Sequence, residues 1–238
     1  MIEGFLGCFV TGFLGTALPR LLGVPKVSIF ETMGFGVALA GTAWLQYSGR
    51  TMWGDLVFFC TIFTLVFLLG VRTMFRKDTP PPAFVLVAMG LLSALAGSFG
   101  LAVAQATPGL LLSWLQPFAK LLVYQGFILL PVMGIGAFLL PRFFGLPNRQ
   151  SFPESLTLPP GWIRRAAFAT MCGLAVVASF AIEVAGFPRW GYALRAGALL
   201  VYFFREVPVH QAGFGGGSLA FGLRIALCSI PLGYMLLA

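Results

Sequence analysis

The side chains that could carry chemistry are the few charged residues inside long apolar stretches of the sequence. The candidates among them are Glu31, Glu183, Arg195 and Arg224. If the stretches cross a bilayer, each buried charge costs about 2.5–3.5 kcal/mol at the centre of a span, so it marks an ion pair or a ligand site. At about 1.5 Å of rise per residue, Glu183 and Arg195 lie at similar depths on consecutive antiparallel helices. We expect these two side chains to pair.

Two interpretations of these charges stay open. In the first, they are structural: Glu183 pairs with Arg195, and Glu31 lies close enough to Arg20 to pair with it. In the second, they form an intramembrane ligand or proton site. Arg224, seven residues into the last stretch, either extends to the membrane surface or holds an anion such as a propionate.

Candidate metal ligands are scarce. His210 is the single histidine and lies in a predicted loop beside Pro208, where a solvated side chain is more common than a metal ligand. The cysteines lie far apart inside apolar stretches, which is typical of buried thiols and not of a disulfide framework or a zinc site. They are Cys8, Cys60, Cys172 and Cys228. The Gly-rich segment 213–218 lacks the spacing of a nucleotide-binding loop, and no catalytic residue is predicted.

The elements that position these residues are predicted to be transmembrane helices. The chain is 59% hydrophobic and only 9% charged, whereas about a quarter of the residues in a soluble domain are charged. Pro, Gly and charged residues separate eight apolar segments. These are about 3–19, 27–47, 52–71, 83–105, 110–141, 165–187, 190–204 and 217–238. The sequence therefore predicts an all-α membrane protein with about eight transmembrane helices in one membrane domain (1–238).

The distribution of Lys and Arg predicts the topology. One set of alternate loops holds most of the basic residues, and the other set holds only Arg50 and Arg189. By the positive-inside rule, the basic set is cytoplasmic and the N-terminus is outside. The net charge of +8 then reflects these loops and needs no nucleic acid partner. Aromatic residues cluster at the predicted outer ends, as an interfacial belt would: Trp44, Tyr47, Trp53, Trp114, Trp190 and Tyr192.

One sequence pattern occurs twice. GFLGTALPRLLGVP (12–25) and GIGAFLLPRFFGLP (134–147) share the pattern G-x5-L-P-R-x-x-G-x-P. The match predicts a 4+4 parallel repeat, with one four-helix group in 1–109 and another in 110–238. The two basic turns, at Arg20 and Arg142, either end a helix and anchor it at the headgroups or bind an anionic group at the cytoplasmic face.

The positions of the two copies also suggest how the chain begins and ends. Residues 110–124 form the first part of the apolar helix that contains the second copy. In the helix that contains the first copy, only Met1 and Ile2 correspond to this part. The last segment runs to an apolar Ala238. We expect the chain to be part of a longer reading frame, with a naturally short N-terminus as the alternative.

The segments EGFLGCFVTGFLGTALPRLLGVP and YQGFILLPVMGIGAFLLPRFFG resemble the NnrS family. The likeness lies in Gly4, Phe5, Gly12, Pro19 and Gly23, and in Gln125-Gly126-Phe127 leading to Pro141. The resemblance implies a multi-pass protein of the bacterial inner membrane, linked to nitric oxide metabolism and denitrification, with haem and copper as cofactors. The family pattern has further histidines, but His210 does not match them, so no metal ligand is transferred.

Two other functions remain as alternatives. The first is a small-molecule transporter with a polar site around Glu183, Arg195 and Arg224. The second is a structural membrane subunit without a ligand.

Overall fold

The computed structural model describes residues 2–24, 27–76, 78–107, 113–148, 150, 152, 159–207 and 217–238. Within these ranges the chain forms eight helices and no strand. The helices are α1 (Ile2–Leu22), α2 (Ile29–Tyr47), α3 (Thr51–Met74), α4 (Phe84–Ala106), α5 (Leu115–Phe143), α6 (Pro160–Val184), α7 (Pro188–Glu206) and α8 (Gly217–Leu237).

Five of these helices are long and apolar enough to cross a membrane: α3, α4, α5, α6 and most of α8 (Ala220–Leu237). Helix α7 is less apolar because it carries Arg195, Arg205 and Glu206. Large apolar side chains are exposed along the helices, as lipid-facing surfaces require; examples are Phe67 on α3 and Phe204 on α7. The all-α class and a multi-pass membrane protein are therefore supported, while the eight-span count and the 4+4 repeat stay predictions.

The chain divides into two compact units, and α4 and α5 contribute residues to both. Unit 1 contains Met1–Pro80 and Gly90–Ile128, and unit 2 contains Pro81–Met89, Leu129–Pro153 and Leu158–Ala238.

In unit 1, α2 packs against both α1 and α3. The ring of Phe58 meets the edge of the Phe127 ring with their centres 5.8 Å apart. Helices α4 and α5 approach closely at Gly97, where a Cβ atom would lie 2.7 Å from the carbonyl oxygen of Ala119.

In unit 2, α7 packs against both α6 and α8. Its core includes Val176 and Phe180 of α6 and Leu199 and Tyr202 of α7, all fully buried. The charged residues named in the sequence analysis on α6, α7 and α8 therefore belong to one packed group of helices.

Helix α5 contains a π-helical turn over Leu122–Gly126. Such a turn adds one residue to a helix without breaking it, and π turns recur at functional sites. Gln125 and Gly126, which carry part of the resemblance noted above, lie in this turn.

The two copies of the P-R-x-x-G pattern form the same helix ending. The Val24 N–H donates to the Pro19 carbonyl at 3.0 Å, and the Leu146 N–H donates to the Pro141 carbonyl at 2.8 Å. Gly23 and Gly145 adopt φ of 64° and 66°, which glycine tolerates without steric cost. Both endings are left-handed glycine caps that satisfy carbonyls of the last helical turn.

Candidate functional site

The turn between α6 and α7 positions the Glu183–Arg195 pair. Only residues 185–187 separate the two helices, so they run antiparallel as neighbours. Gly191 lets α7 approach α6 closely, because a Cβ atom there would lie 2.8 Å from the Ser179 carbonyl oxygen. This approach places the side chain of Arg195 against the last turns of α6.

The expected pairing is present. Arg195 Nη2 donates to Glu183 Oε2 at 2.6 Å, and Arg195 Nε donates to Ser179 Oγ at 3.0 Å. The Arg195 side chain is 0% exposed and that of Glu183 is 17% exposed. The carboxylate also accepts a hydrogen bond from the Tyr192 hydroxyl at 3.3 Å.

Aromatic rings surround the same guanidinium. Its central carbon lies 4.5 Å from the ring centre of Phe180 on α6 and 4.9 Å from that of Tyr234 on α8. Cation–π contacts contribute about 2 kcal/mol when they are desolvated, as they are around this buried side chain. Arg195 therefore links three helices through groups of the chain itself, which is the arrangement of a structural ion pair.

Glu31 has two functions at the start of α2. Its Oε2 accepts from the backbone N–H of Ser28 at 3.2 Å, and Ser28 Oγ accepts from the N–H of Phe30, which together form a capping box. The same oxygen pairs with Arg72 Nη2 of α3 at 2.5 Å. The sequence analysis proposed Arg20 as the partner, but the side chain of Arg20 lies outside the described part of the structure.

A small cavity lies beside Arg72 in unit 1. It has a volume of about 180 Å³, and its lining includes Gly12, Thr11, Thr16 and Thr32. The Thr11 hydroxyl donates to the Gly7 carbonyl and that of Thr16 to the Gly12 carbonyl, so the threonine oxygens keep acceptor capacity. The cavity therefore brings a guanidinium and several hydroxyl groups together. It lies beside the Glu31–Arg72 pair, which joins an end of α2 to an end of α3.

The other predicted site residues are dispersed. The guanidinium carbon of Arg224 lies 5.5 Å from the Phe144 ring centre, and that of the exposed Arg142 lies 4.5 Å from the Phe138 ring centre. Arg20 lies in α1, and His210 is outside the described residues. Whether any of these binds a ligand stays a prediction.

The sequence analysis missed a buried acid at the end of α7. Glu206 Oε2 accepts from Gln150 Nε2 at 2.6 Å and from Arg165 Nη1 at 3.0 Å. Gln150 also accepts from the backbone N–H of Ala83 at 3.0 Å. The neighbouring Tyr202 hydroxyl is buried and has no hydrogen-bond partner among the described residues.

Metal-ligating side chains are scattered among the described residues. Among them, no group of three or more His, Cys, Asp or Glu side chains could hold a metal ion. The sequence contains one imidazole, that of His210, so this chain cannot hold a haem iron between two of its own imidazoles. We therefore assign no chemical step to a metal in this chain.

The chain is a multi-pass α-helical membrane protein. Its apolar helices, its exposed apolar surfaces and its internally paired charges all indicate this class. The family model described as NnrS protein matches residues 1–238. The chain belongs to the NnrS family, and this membership supports an NnrS-like protein linked to the nitric oxide response. Comparison with curated proteins and with solved structures found no match.

Proposed function

We propose that the protein acts in the bacterial inner membrane, with its N-terminus outside, as an NnrS-type component of the nitric oxide response and of denitrification. The family match over residues 1–238 carries this proposal. The bias of loop Lys and Arg supports the orientation. The exposure of Trp44, Trp53 and Trp190 supports an aromatic belt.

Within this function, the role that the geometry supports best for the described residues is that of a helical scaffold. The Glu183–Arg195 pair, the Glu31–Arg72 pair and the Glu206 cluster each join different parts of the fold through short hydrogen bonds. Haem and copper, which the family implies, would need ligands beyond those that the described residues supply.

The same local architecture supports the 4+4 arrangement with groups 1–109 and 110–238. The glycine caps after Arg20 and Arg142 share their hydrogen-bond pattern and backbone angles. Related turns of this kind are what a duplicated four-helix group would preserve.

A growth experiment tests the functional proposal. The gene is deleted in its host, and growth is compared under a nitric oxide donor with and without the wild-type gene. We expect a longer donor-induced lag in the deletion strain and full restoration by the wild-type gene. Identical growth of the deletion and wild-type strains under nitric oxide, with equal growth in its absence, would contradict the proposal.

The cofactor part is tested separately with the purified chain. We expect no stoichiometric Soret absorption and no stoichiometric copper, because the described residues lack a donor set. The His210→Ala variant is the control for the one imidazole. A stoichiometric haem signal that this substitution removes would show that the chain binds haem through that residue.

Transport of a small polar solute is the second candidate, and the cavity beside Arg72 favours it. In proteoliposomes, flux of the solute should fall in Arg72→Gln and persist in Arg76→Gln, which changes a basic residue just beyond the same helix. Equal flux in both variants would remove the support that this cavity gives to transport.

A further inference from the structure

Asp55 is a buried carboxylate for which the described residues supply no ion pair. It lies in the second turn of α3 and is 4% exposed. Its Oδ2 accepts from Gln105 Nε2 of α4 at 2.6 Å, and its Oδ1 accepts from Gln46 Nε2 of α2 at 3.4 Å. Three helices of unit 1 therefore meet at one acid through neutral amides.

The charge on this acid is not balanced by its surroundings. Burying an ionised carboxylate is costly unless it is paired or neutralised. Tyr47 at the end of α2, Arg50 in the turn before α3, and Lys120 on α5, which packs against α4, are all exposed. None of these three side chains forms a hydrogen bond or ion pair with Asp55, so within the described part of the chain two amide groups support the negative charge.

A hydrogen-bonded path joins Asp55 to the exposed end of α3. Thr51, the first residue of this helix, is exposed and donates its hydroxyl hydrogen to Gln105 Oε1. Gln105 therefore connects the hydroxyl at the helix end with the buried carboxylate.

The Gln105 amide can serve both protonation states. With Asp55 ionised, the amide N–H donates to the carboxylate. With Asp55 protonated, a rotated amide accepts the new O–H in its carbonyl oxygen and donates its N–H to Thr51 Oγ1. One O–H bond forms at Asp55 and one O–H bond of a hydronium ion breaks, which leaves water. Thr51 and Gln105 only rearrange their hydrogen bonds, so none of their covalent bonds changes.

We propose that Asp55 is a proton-binding site, reached from the exposed end of α3 when the hydrogen bonds of Thr51 and Gln105 rearrange. Protonation changes how Gln46 and Gln105 hold the acid, so it alters the packing of α2, α3 and α4 at this end. The site is separate from the Glu183–Arg195 pair and does not depend on the function proposed above.

Infrared difference spectroscopy of the full chain in lipid tests the proposal. The protein is labelled with ¹³C at the aspartate carboxyl, and spectra are recorded as the pH is lowered. The chain has two aspartates, Asp55 and Asp78, so Asp78→Asn is the matched control. We expect the carbonyl band of a protonated, label-sensitive aspartic acid that is lost in Asp55→Asn and kept in Asp78→Asn.

The wild-type spectra and a second variant keep the test independent of how Asp55→Asn folds. In labelled wild-type protein, the absence of any aspartic acid band that appears on acidification would overturn the proposal. So would a band that disappears only in Asp78→Asn. After a rapid drop in pH, Thr51→Val should slow the appearance of the band without reducing its final size, and an unchanged rate would refute the route through Thr51.

Discussion

Removing the charge of Glu183 should destabilise the protein far more than its position near a helix end suggests. In Glu183→Gln the side chain keeps its size, but the fully buried guanidinium of Arg195 loses its counter-ion. Breaking a buried pair by removing one partner costs about 3–5 kcal/mol. Ser179 and the rings of Phe180 and Tyr234 still stabilise the guanidinium. We therefore expect the free energy of unfolding to fall by about 3 kcal/mol, at the low end of this range.

The opposite substitution should cost less. Arg195→Met leaves Glu183, which is 17% exposed and still accepts from the Tyr192 hydroxyl. The expected loss is about 1–3 kcal/mol, the usual cost of leaving a partly buried acceptor unsatisfied. The double variant carries no stranded charge, so it should be more stable than Glu183→Gln alone.

The measurement is a double-mutant cycle by reversible unfolding in mixed detergent micelles. The free energy of unfolding is measured for the wild type, both single variants and the double variant. Additive losses, or a loss below about 1 kcal/mol in Glu183→Gln, would show that the pair is not the energetic link between α6 and α7 that its burial indicates.

Substitutions at three further sites, with matched controls at two of them, test other contacts by the same unfolding measurement. Gly191→Ala should lose about 1–3 kcal/mol, because its Cβ would lie 2.8 Å from the Ser179 carbonyl oxygen; Gly197→Ala on the same helix meets nothing within 4 Å and should gain about 0.5–1 kcal/mol. Tyr202→Phe should leave stability unchanged or raise it, since the buried hydroxyl has no described partner; a clear loss would reveal one. Ser28→Ala should cost about 0.5–2 kcal/mol and speed hydrogen exchange in the first turn of α2, whereas Ser28→Thr should not.

The apolar pattern located the helices but not their ends. The sequence predicted segments at 165–187 and 190–204, whereas the helices run from Pro160 to Val184 and from Pro188 to Glu206. Proline is well tolerated in the first helical turn, and polar residues such as Arg164 continue a helix beyond its apolar part. Hydrophobicity marks the segment that lipid can surround, which is shorter than the hydrogen-bonded helix.

Charge pairs were predictable where one short turn sets the geometry. Glu183 and Arg195 face each other across residues 185–187. Their depths in the membrane therefore follow from counting the residues between each of them and this turn. For Glu31 the same counting favoured Arg20, because each lies two residues from the turn between α1 and α2. The pairing with Arg72 of α3 does not follow from residue counting, because Arg72 lies about five residues beyond the position level with Glu31.

Asp55 could not be identified in this way. Its burial depends on Gln46 and Gln105 from two other helices. Its neighbours in sequence, such as Arg50 and Trp53, instead indicate the membrane–water interface, where a charged side chain is expected to be solvated.

The π turn in α5 has a consequence for how substitutions along this helix should be interpreted. One extra residue per turn rotates everything after Gly126 by about 100° relative to the part before Leu122. A helical wheel drawn over Leu115–Phe143 with a single period therefore assigns half of the helix to the wrong face. Phe127 is the first residue after the π turn, so α5 is best treated as two helices in different phase, joined without a break.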